Sequence, residues 1–304
     1  MSLLITGASG FLGSALIPKL LQKGHKIYGL SRHPPEAREN LIPLIGDVTE
    51  PDLGLKEVPD DISAVHHLAA IHKLGGDQDN SIWQTNVQGT KNVIDFCIKY
   101  GIPHLYFTST AYTQGRNPYE RSKALCETML RESSIPKVTI FKPSIVMGTP
   151  QHFYPGHFSL FVALLVRVHQ RTEVVRRKIE GTLRLPVIEP VFRKRANPKG
   201  RLNLISVDDV TGAMAAIDGE GTYWLTHPDP PTIGQLLDWV SEFILVKIKI
   251  EPLFKPTPIE VAFEKMSAAL TPYLWGDDFP SDLKDLPPIT KEFIQDTIKQ
   301  TLLS

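Results

Sequence analysis

The chain opens with an apolar strand pattern that runs directly into a glycine-rich turn. Leu3–Thr6 is followed by this turn and then, from Phe11 onward, by apolar positions spaced as in a helix. The turn carries Gly7, Gly10 and Gly13. Glycine at such positions lets backbone N–H groups and the positive end of a helix approach a negatively charged group closely. Strand, turn and helix in this order predict a dinucleotide pyrophosphate site rather than an ordinary glycine turn.

Short β-branched runs alternate with helix-length amphipathic segments from residue 1 to about residue 147. Strands are expected at Leu3–Thr6, Lys26–Leu30, Leu41–Ile45, Ala64–Leu68, His104–Thr108 and Val138–Lys142. Helices are expected at Phe11–Lys23, Ser81–Tyr100 and Tyr119–Glu132. Parallel strands joined through helices need right-handed crossovers, so the pattern predicts an α/β fold with a Rossmann-type, doubly wound parallel sheet.

The regular alternation ends after Gly148, where a smaller region of mixed secondary structure is expected to begin. We predict a dinucleotide-binding domain over residues 1–147 and a substrate-binding or lid region over residues 148–304, with a segment around 202–217 returning to the first domain. Strands are expected at residues 202–207 and 246–250, and helices ending near Ala216, Phe243 and Leu302. Asp208 or Asp209 is placed to cap the first of these helices, and Thr232 begins a capping box for the second.

Composition excludes several classes of function. Lys plus Arg number 33 and Asp plus Glu number 33, so no net charge attracts nucleic acid or an anionic membrane. The two cysteines, Cys97 and Cys126, both fall in helical stretches, which argues against a disulfide framework or a metal site. Neither a signal-peptide pattern nor an apolar run of membrane-spanning length occurs, so a cytoplasmic protein is expected. The oligomeric state is left open, with a homodimer as one option.

The end of the second predicted strand bears on which dinucleotide is bound. NAD sites place a carboxylate there to accept hydrogen bonds from the ribose hydroxyls, whereas NADP sites place a cation. The expected acidic position holds Ser31, and Arg32 follows it. A guanidinium can bind a 2′-phosphate through two hydrogen bonds, so the sequence favours NADP(H) over NAD.

Tyr119 and Lys123 lie four residues apart at the start of a predicted helix, which places both side chains on one face. A free tyrosine exchanges its proton poorly at neutral pH, because its pKa is about 10. A neighbouring ammonium favours the phenolate and lowers that pKa, so the pair can serve carbonyl/alcohol interconversion. The hydroxyls of Thr108, Ser109 and Thr110, just upstream, are available to hold the substrate oxygen.

These motifs resemble the extended short-chain dehydrogenase/reductase superfamily, which includes the NAD-dependent epimerase/dehydratase proteins. Within it the nearest resemblance is to the thioester-reductase-like and fatty-acyl reductase branch. The resembling segments in the first half are residues 6–13, 46–49, 67–70, 85–90, 109–112, 117–123 and 142–146. Beyond residue 147 the resemblance thins to residues 202–210 and 223–228.

The resemblance implies a role for individual residues. It makes Thr110, Tyr119 and Lys123 the catalytic triad, with Ser109 as the competitor of Thr110, and Lys123 also a ligand of the nicotinamide ribose. The cofactor-binding residues that it implies, with Ser31 and Arg32 added from the strand end, are Gly7, Ser9, Gly10, Phe11, Leu12, Gly13, Ser31, Arg32, Asp47, Val48, Leu68, Ala69, Ala70, Asn86, Lys123, Pro143, Ser144 and Ile145. Among them the resemblance places Asp47 and Val48 at the adenine, Leu68 to Ala70 along the cofactor cleft, and Pro143 to Ile145 at the nicotinamide end.

The predicted catalytic segment has a short loop and two glutamates in its helix. Only eight residues separate Thr110 from Tyr119, and a loop this short leaves Tyr112 as an alternative catalytic tyrosine. Glu120 and Glu127 are interpreted as residues on the surface of the helix.

The substrate is expected to be a small-molecule or carrier-bound acyl compound whose carbonyl or thioester is reduced. Residues 167–201 hold eleven Lys or Arg against three acids, which suits an anionic carrier arm or nucleotide diphosphate but equally a solvated cationic loop. Two alternative functions are also consistent with the fold: a nucleotide-sugar epimerase or dehydratase, and a non-catalytic NADP-sensing protein. The missing carboxylate at Ser31 counts against the first, and the complete triad counts against the second.

Overall fold

The computed structural model of the protein describes residues 1–154, 156–183, 191–244, 247–251 and 253–303. The chain divides into two compact units. The first unit comprises residues 1–146, 205–228 and 279–286, and the second comprises residues 147–204, 229–278 and 287–304. Neither unit is continuous in sequence, because the chain crosses between them several times.

The strands are β1 (Ser2–Thr6), β2 (Lys26–Ser31), β3 (Leu41–Ile45), β4 (Ile62–His67), β5 (His104–Thr108), β6 (Lys137–Pro143), β7 (Ile145–Met147), β8 (Val191–Lys194), β9 (Leu204–Ser206), β10 (Gly221–Leu225) and β11 (Lys247–Ile250). The α-helices are α1 (Phe11–Gln22), α2 (Gly89–Lys99), α3 (Pro118–Arg131), α4 (His157–Leu183), α5 (Val207–Ala216), α6 (Ile233–Ile244), α7 (Pro258–Met266) and α8 (Lys291–Leu303). A π-helical segment, Trp83–Gln88, leads into α2, and 3₁₀ segments occupy Pro51–Gly54 and Ala268–Trp275.

The first unit contains a seven-stranded sheet in the order β10-β6-β5-β4-β1-β2-β3. All of its neighbouring strands pair in parallel. The strand order reverses between β1 and β4, and in such sheets ligands bind in the crevice outside the carboxyl ends of the strands at that point. The predicted Rossmann-type, doubly wound sheet is therefore confirmed.

Apolar side chains cover both faces of this sheet, as a parallel sheet requires. One cluster joins Phe107 of β5 to Phe96 of α2 and Leu130 of α3. The other joins β1 to Leu16 of α1 and Val210 of α5. The helices that carry the predicted site residues are thus fixed to the sheet by buried contacts.

Several predictions beyond the first half need correction. The helix α5 is capped by Ser206, whose Oγ accepts a hydrogen bond from the Asp209 N–H, so the expected cap at Asp208 or Asp209 is wrong. Ser206 is the last residue of β9 and caps α5 from that position. Asp208 and Asp209 therefore both lie inside the first turn of the helix. The capping box at Thr232 is confirmed, because its side chain and that of Gln235 exchange hydrogen bonds with each other's backbone N–H. The expected strand start at residue 246 lies outside the described residues.

The edge strand β10 was not predicted from the sequence. It begins at Gly221 and its first residues are exposed, so it lacks an alternating apolar pattern. The second unit contains a parallel pair of short strands, β8 and β11, with four residues each. Among the described residues, no helix combines the length and apolar character needed to cross a membrane.

A buried aromatic stack lies within the first unit. The rings of His66 and Tyr106 are stacked with centroids 4.1 Å apart, and the His104 ring lies 3.8 Å from Tyr106 on centroids. Tyr106 donates a 2.7 Å hydrogen bond to Asp218. Burial lowers the pKa of His66 to about 3 and, with the positive charge of Lys137, that of His104 to about 4. Both histidines are therefore neutral in the folded protein at pH 7.

The buried histidines of this stack predict how steeply the free energy of unfolding falls as the pH is lowered. Unfolded His66 binds a proton below about pH 6.5, whereas folded His66 binds one only near pH 3, so stability falls as the pH falls between these values. We expect His66→Phe, which keeps the ring contact, to reduce the slope of unfolding free energy against pH by about 1.4 kcal/mol per pH unit between pH 4 and 6. Urea unfolding at several pH values measures this, and identical slopes for both proteins would contradict it.

Candidate active site

The glycine-rich turn between β1 and α1 brings three backbone segments unusually close together. Gly7 has φ +71°, and a Cβ built on it would lie 2.8 Å from the backbone nitrogen of Ala69. A Cβ on Gly13 would lie 2.4 Å from the carbonyl oxygen of Gly7. Both glycines are thus required by the turn itself. Gly10 differs, because it is exposed and its Cβ would approach only the Gly7 carbonyl, at 3.1 Å.

The turn fits the pyrophosphate of a dinucleotide. Gly10 precedes α1 with φ −75° and ψ 172°, a conformation open to any residue, so the fold does not demand glycine there. A side chain at this exposed position would instead fill the approach to the helix N-terminus, where an anion binds. Gly7, Ser9, Gly10, Phe11, Leu12 and Gly13 are all contiguous in this turn and the first turn of α1.

We therefore expect Gly10→Val to separate nucleotide binding from folding. The dissociation constant for NADPH should rise at least about 100-fold, while the free energy of unfolding changes by about 1 kcal/mol or less. Gly212→Ala in α5 is the matched control, since a Cβ there meets nothing within 4 Å, and it should leave NADPH affinity unchanged. Titration by isothermal calorimetry measures both, and unchanged affinity in Gly10→Val would refute this placement of the phosphates.

A chain of buried hydrogen bonds joins the turn to the end of β4. His67 Nδ1 lies 2.7 Å from the Thr6 hydroxyl, and its Nε2 lies 3.1 Å from the Thr90 hydroxyl. Thr90 donates to the carbonyl of Asn86, so Nε2 donates to Thr90 and Nδ1 accepts from Thr6. Burial, aided by the charge of Lys123, lowers the pKa of His67 to about 3 and keeps the ring neutral.

Asn86 is almost completely buried and anchors the segment that follows β4. Its side chain exchanges hydrogen bonds with both the N–H and the carbonyl of Ile71 and donates to the hydroxyl of Ser122 in α3. Leu68, Ala69 and Ala70, which were predicted to line the cofactor cleft, are contiguous between this anchor and β4. Asn86 itself lies in the π-helical segment, a type of irregularity that is frequent at functional sites.

The residues predicted to contact the adenosine half follow β2 and β3. Ser31 accepts a 3.0 Å hydrogen bond from Ser9 of the glycine-rich turn. Arg32 is exposed, and no hydrogen-bond acceptor for it occurs among the described residues. Asp47 accepts two 2.9 Å hydrogen bonds from Thr49, which fixes the orientation of its carboxylate. Val48 is buried against the start of α2.

The helix α3 carries the predicted catalytic residues Tyr119 and Lys123. Asn117 caps it by accepting a 2.9 Å hydrogen bond from the N–H of Glu120, and Pro118 occupies its first turn. Lys123 is buried, and its Nζ donates to the carbonyl of Thr108 at the end of β5 over 2.7 Å. Burial lowers the pKa of this ammonium to about 8. Tyr119 is partly exposed, one helical turn before Lys123.

A histidine that the sequence did not single out as functional lies beside the phenol. The ring of His72 is tilted against that of Tyr119, with centroids 4.5 Å apart. His72 follows the cleft-lining segment after β4, in which no local pattern pointed to it. A group of three or more metal-binding side chains is absent from the described residues.

The hydroxyls at the end of β5 differ in their partners. Ser109 donates a 2.5 Å hydrogen bond to Glu127, so its proton is already engaged. Thr110 accepts a 3.2 Å hydrogen bond from the N–H of Tyr112 and is nearly buried. The geometry favours Thr110 over Ser109 as the hydroxyl available to a substrate oxygen.

The short loop between Thr110 and Tyr119 is held by an ion pair between Arg116, which is partly exposed, and the buried Glu120. The Arg116 guanidinium donates to both oxygens of Glu120, with a closest distance of 3.0 Å, and lies over the ring of Tyr112 at 5.3 Å. Tyr112 is buried and packs edge-on against Phe279. Tyr112 is therefore part of the loop's packing. The interpretation of Glu120 as a surface residue is wrong, since its side chain is 0% exposed.

Glu127 is likewise buried, so its expected surface position is also wrong. It accepts hydrogen bonds from Lys142 and from Arg131, both at 2.8 Å, in addition to Ser109. Burial opposes its ionisation, but the hydrogen bonds from Lys142, Ser109 and Arg131 outweigh that effect and lower the pKa of Glu127. The two glutamates were misassigned because their partners are distant in sequence or lie in a loop.

The end of β6 completes the crevice. Pro143 accepts a 2.8 Å hydrogen bond from the N–H of Ala111, and the N–H of Ser144 donates to Leu225 over 3.3 Å. The first of these bonds places Pro143 beside Ala111, which follows the hydroxyls at the end of β5. The cofactor contacts that the resemblance implies for Pro143, Ser144 and Ile145 stay a prediction.

The sheet and its crevice define a dinucleotide-binding protein with a tyrosine–lysine pair at the carboxyl ends of its strands. The chain belongs to the NAD dependent epimerase/dehydratase family, whose model matches residues 3–177. This family is part of the extended short-chain dehydrogenase/reductase superfamily, as the sequence motifs predict.

Two curated relatives are similar in sequence. The 2-alkyl-3-oxoalkanoate reductase of Stenotrophomonas maltophilia (strain K279a) is 31% identical over 195 residues, which cover 56% of this chain and 56% of the reductase. The sterol demethylase protein B of Methylococcus capsulatus (strain ATCC 33009 / NCIMB 11132 / Bath) is 24% identical over 272 residues, covering 80% and 74%. The chain thus spans little more than half the length of the first of these relatives.

Solved structures share the fold over almost the whole chain. The UDP-glucose 4-epimerase of Thermus thermophilus in complex with NAD has a TM-score of 0.61 and 21% identity, covering 99% of both chains. A short-chain dehydrogenase/reductase superfamily protein from Agrobacterium tumefaciens with bound NAD has a TM-score of 0.63 and 17% identity, covering 99% and 97%. At these identities the similarity shows the fold.

Proposed function

We propose that the protein is an NADP(H)-dependent oxidoreductase that reduces the carbonyl or thioester group of an acyl-type substrate. The observation that carries this proposal is the buried Lys123 ammonium, held by the Thr108 carbonyl one helical turn from Tyr119. A cation in this position favours the phenolate of the neighbouring tyrosine and so makes its proton available for transfer.

Each residue of the triad has a separate task in this reaction. A bound dinucleotide would supply a hydride to the carbonyl carbon. Tyr119 gives its phenolic proton to the carbonyl oxygen as negative charge develops there. Thr110 donates a hydrogen bond to the same oxygen and fixes its position. Lys123 stabilises the phenolate that remains, and its ammonium is lost above about pH 8.

The acyl-type substrate is supported by a relative rather than by a pocket. The reductase from Stenotrophomonas maltophilia is named for a 3-oxoalkanoate, a chain with a carbonyl group. The cations of residues 167–201 support binding of an anionic carrier arm only weakly, because several of them are already paired with glutamates. Arg176 pairs with Glu173 and Glu180, and Arg193 pairs with Glu260. Residues 184–190 of that segment lie outside the described residues.

We also propose that the first unit binds the dinucleotide and that the second unit supplies substrate contacts. The predicted return segment around 202–217 corresponds to α5, which lies in the first unit with residues 205–228. The predicted cofactor and triad residues all belong to the first unit, which supports this division.

A nucleotide-sugar epimerase or dehydratase is the alternative, favoured by the similarity to UDP-glucose 4-epimerase. NADPH oxidation with 3-oxo acids, acyl thioesters, long-chain aldehydes and nucleotide sugars distinguishes the candidates. Consumption of NADPH with an acyl carbonyl is the expected result. Turnover of a nucleotide sugar without net NADPH consumption would replace the proposal by the epimerase. Firm NADPH binding without any turnover would replace it by a nucleotide sensor.

The choice of NADP(H) rests on Arg32. We expect Arg32→Ala to weaken NADPH binding about 10- to 100-fold, because a charge-assisted pair to the 2′-phosphate contributes about 1.5–3 kcal/mol, and to leave NADH binding unchanged. Arg131→Ala, an exposed arginine on α3, should alter neither affinity. Fluorescence titration with both nucleotides measures the effect. Tighter binding of NADH than NADPH by the wild-type protein would exclude the NADP assignment.

A further inference from the structure

The loop that follows β3 is closed on itself by backbone hydrogen bonds. The N–H of Asp47 donates to the carbonyl of Leu53 over 2.9 Å, and the N–H of Glu50 donates to the carbonyl of Asp47 over 3.1 Å. Within the loop, Asp52, Leu53 and Gly54 are consecutive residues with φ of +50°, +58° and +69°. Residues other than glycine adopt this left-handed conformation at an energetic cost, and such strain is concentrated at functional sites. The strained closure indicates that the loop does more than connect β3 to β4.

The closed loop holds the Asp47 carboxylate in one orientation. Its Oδ1 accepts hydrogen bonds from both the N–H and the hydroxyl of Thr49, each 2.9 Å long. Asp47 is partly exposed, and its Oδ2 accepts no hydrogen bond from the part of the chain that the structure describes. The N–H of Gly46 donates to the carbonyl of Ser31 over 3.2 Å, which places the loop beside the end of β2. An acceptor oxygen is thus available next to the strand end that is proposed to bind the adenosine half.

A side chain from α2 holds this loop in place. The side-chain amide of Asn92 donates to the carbonyl of Val48 over 2.8 Å and to the carbonyl of Glu50 over 3.3 Å. The oxygen of the same amide accepts a 3.0 Å hydrogen bond from the side chain of Gln88. Val48 and Glu50 flank Thr49, the partner of the carboxylate. Asn92 therefore fixes the backbone on both sides of the residue that orients the carboxylate.

A carboxylate with a fixed orientation can discriminate between two purine bases of similar shape. Adenine presents its exocyclic amino group as a donor, next to a ring nitrogen that accepts. Hypoxanthine reverses this pattern, with an oxygen in place of the amino group and an N–H at the adjacent ring position. A carboxylate that can turn follows the donor from one position to the other, whereas one held by Thr49 cannot. The preference for adenine over hypoxanthine therefore depends on how firmly the carboxylate is oriented.

We propose that Asn92 is a positioning residue that makes the dinucleotide site selective for adenine, because it holds the loop that orients the Asp47 carboxylate. The inference rests on the proposed binding of a dinucleotide, with Asp47 at the adenine. In the described part of the chain, the side-chain hydrogen bonds of Asn92 go to the loop carbonyls and to Gln88, so its effect on the base passes through Asp47. Neither the triad nor the 2′-phosphate is involved.

NADPH and its hypoxanthine analogue, reduced nicotinamide hypoxanthine dinucleotide phosphate, test the proposal by fluorescence titration of the full chain. We expect the wild type to bind NADPH about 10- to 100-fold more tightly than the analogue, because the analogue turns a charge-assisted hydrogen bond into a contact between two acceptors. Asn92→Ala should reduce this preference to about threefold or less, mainly by weakening NADPH binding. Lys91→Ala, an exposed neighbour on α2, should keep the wild-type preference.

A second variant tests the same orientation without changing Asn92. Thr49→Val removes one of the two hydrogen bonds to the carboxylate and keeps the shape of the side chain. Its preference for NADPH over the analogue should lie between those of the wild type and Asn92→Ala. Each preference is a ratio of two affinities measured on one sample, so a fraction of unfolded protein in a variant lowers both affinities equally and leaves the ratio unchanged.

The outcomes separate this inference from the proposed function. Equal affinity of the wild type for the two nucleotides overturns the inference and leaves dinucleotide binding intact. A preference in Asn92→Ala as large as that of the wild type does the same. Binding of neither nucleotide would overturn the proposed function and this inference with it. Because both nucleotides carry the 2′-phosphate and no turnover is measured, the comparison is independent of the proposed reductase activity.

Discussion

Tyr119→Phe is expected to reduce the acyl carbonyl about 100- to 10,000-fold more slowly than the wild type, with unchanged affinity for NADPH. The substitution removes one oxygen atom that carries the transferred proton and leaves the ring packed against His72. Lys123 keeps its hydrogen bond to the Thr108 carbonyl, so the cofactor site should be preserved. Steady-state NADPH oxidation gives the rate, and calorimetric titration gives the affinity.

Tyr112→Phe is the matched control for this prediction. Tyr112 is the other tyrosine of the segment, but it is buried between Arg116 and Phe279 and has no lysine one helical turn after it. The control should keep a rate within about threefold of the wild type. Full activity in Tyr119→Phe together with loss in Tyr112→Phe would move the proton donor to the loop and overturn the assigned triad.

Glu127→Ala is expected to lower the free energy of unfolding by about 3–5 kcal/mol. The substitution leaves the Lys142 ammonium buried without the carboxylate that now lies 2.8 Å away, and it removes the acceptor of the Ser109 hydroxyl. An uncompensated buried charge is more destabilising than the loss of both partners together. Equilibrium unfolding in urea measures the change.

Two further variants separate charge from packing at Glu127. The double variant Glu127→Ala with Lys142→Met should recover part of the lost stability, because it also removes the stranded cation. Arg131→Ala should cost at most about 1 kcal/mol, since the Arg131 side chain is 53% exposed and its pairing is screened by water. A Glu127→Ala variant as stable as the wild type would show that Lys142 finds another acceptor.

Local patterns predicted the first unit because its signals lie within single elements. The glycine spacing after β1, the apolar runs of the strands and the Tyr119–Lys123 spacing each depend on residues a few positions apart. Strand bounds in this part agree with the predicted bounds to within about two residues, apart from the short β7 and the edge strand β10, which were not predicted, and α1 begins at Phe11 as expected. The π-helical stretch before α2 could not be predicted, because it does not change the apolar periodicity of the segment.

The remaining features depend on contacts between residues distant in sequence. Glu127 meets Lys142 across the gap from α3 to β6, and Arg193 meets Glu260 across 67 residues. A helix pattern cannot distinguish a solvated carboxylate from one whose cation arrives from elsewhere in the chain.

The ion pair between Arg116 and the buried Glu120 affects how a substrate is recognised, because it holds the short loop in one conformation. A loop that is already ordered loses little conformational entropy when a ligand arrives, so binding energy remains available for orienting the reacting carbonyl. We therefore expect this end of the crevice to be selective, because a preordered loop excludes substrates of the wrong shape and does not rearrange to accommodate them.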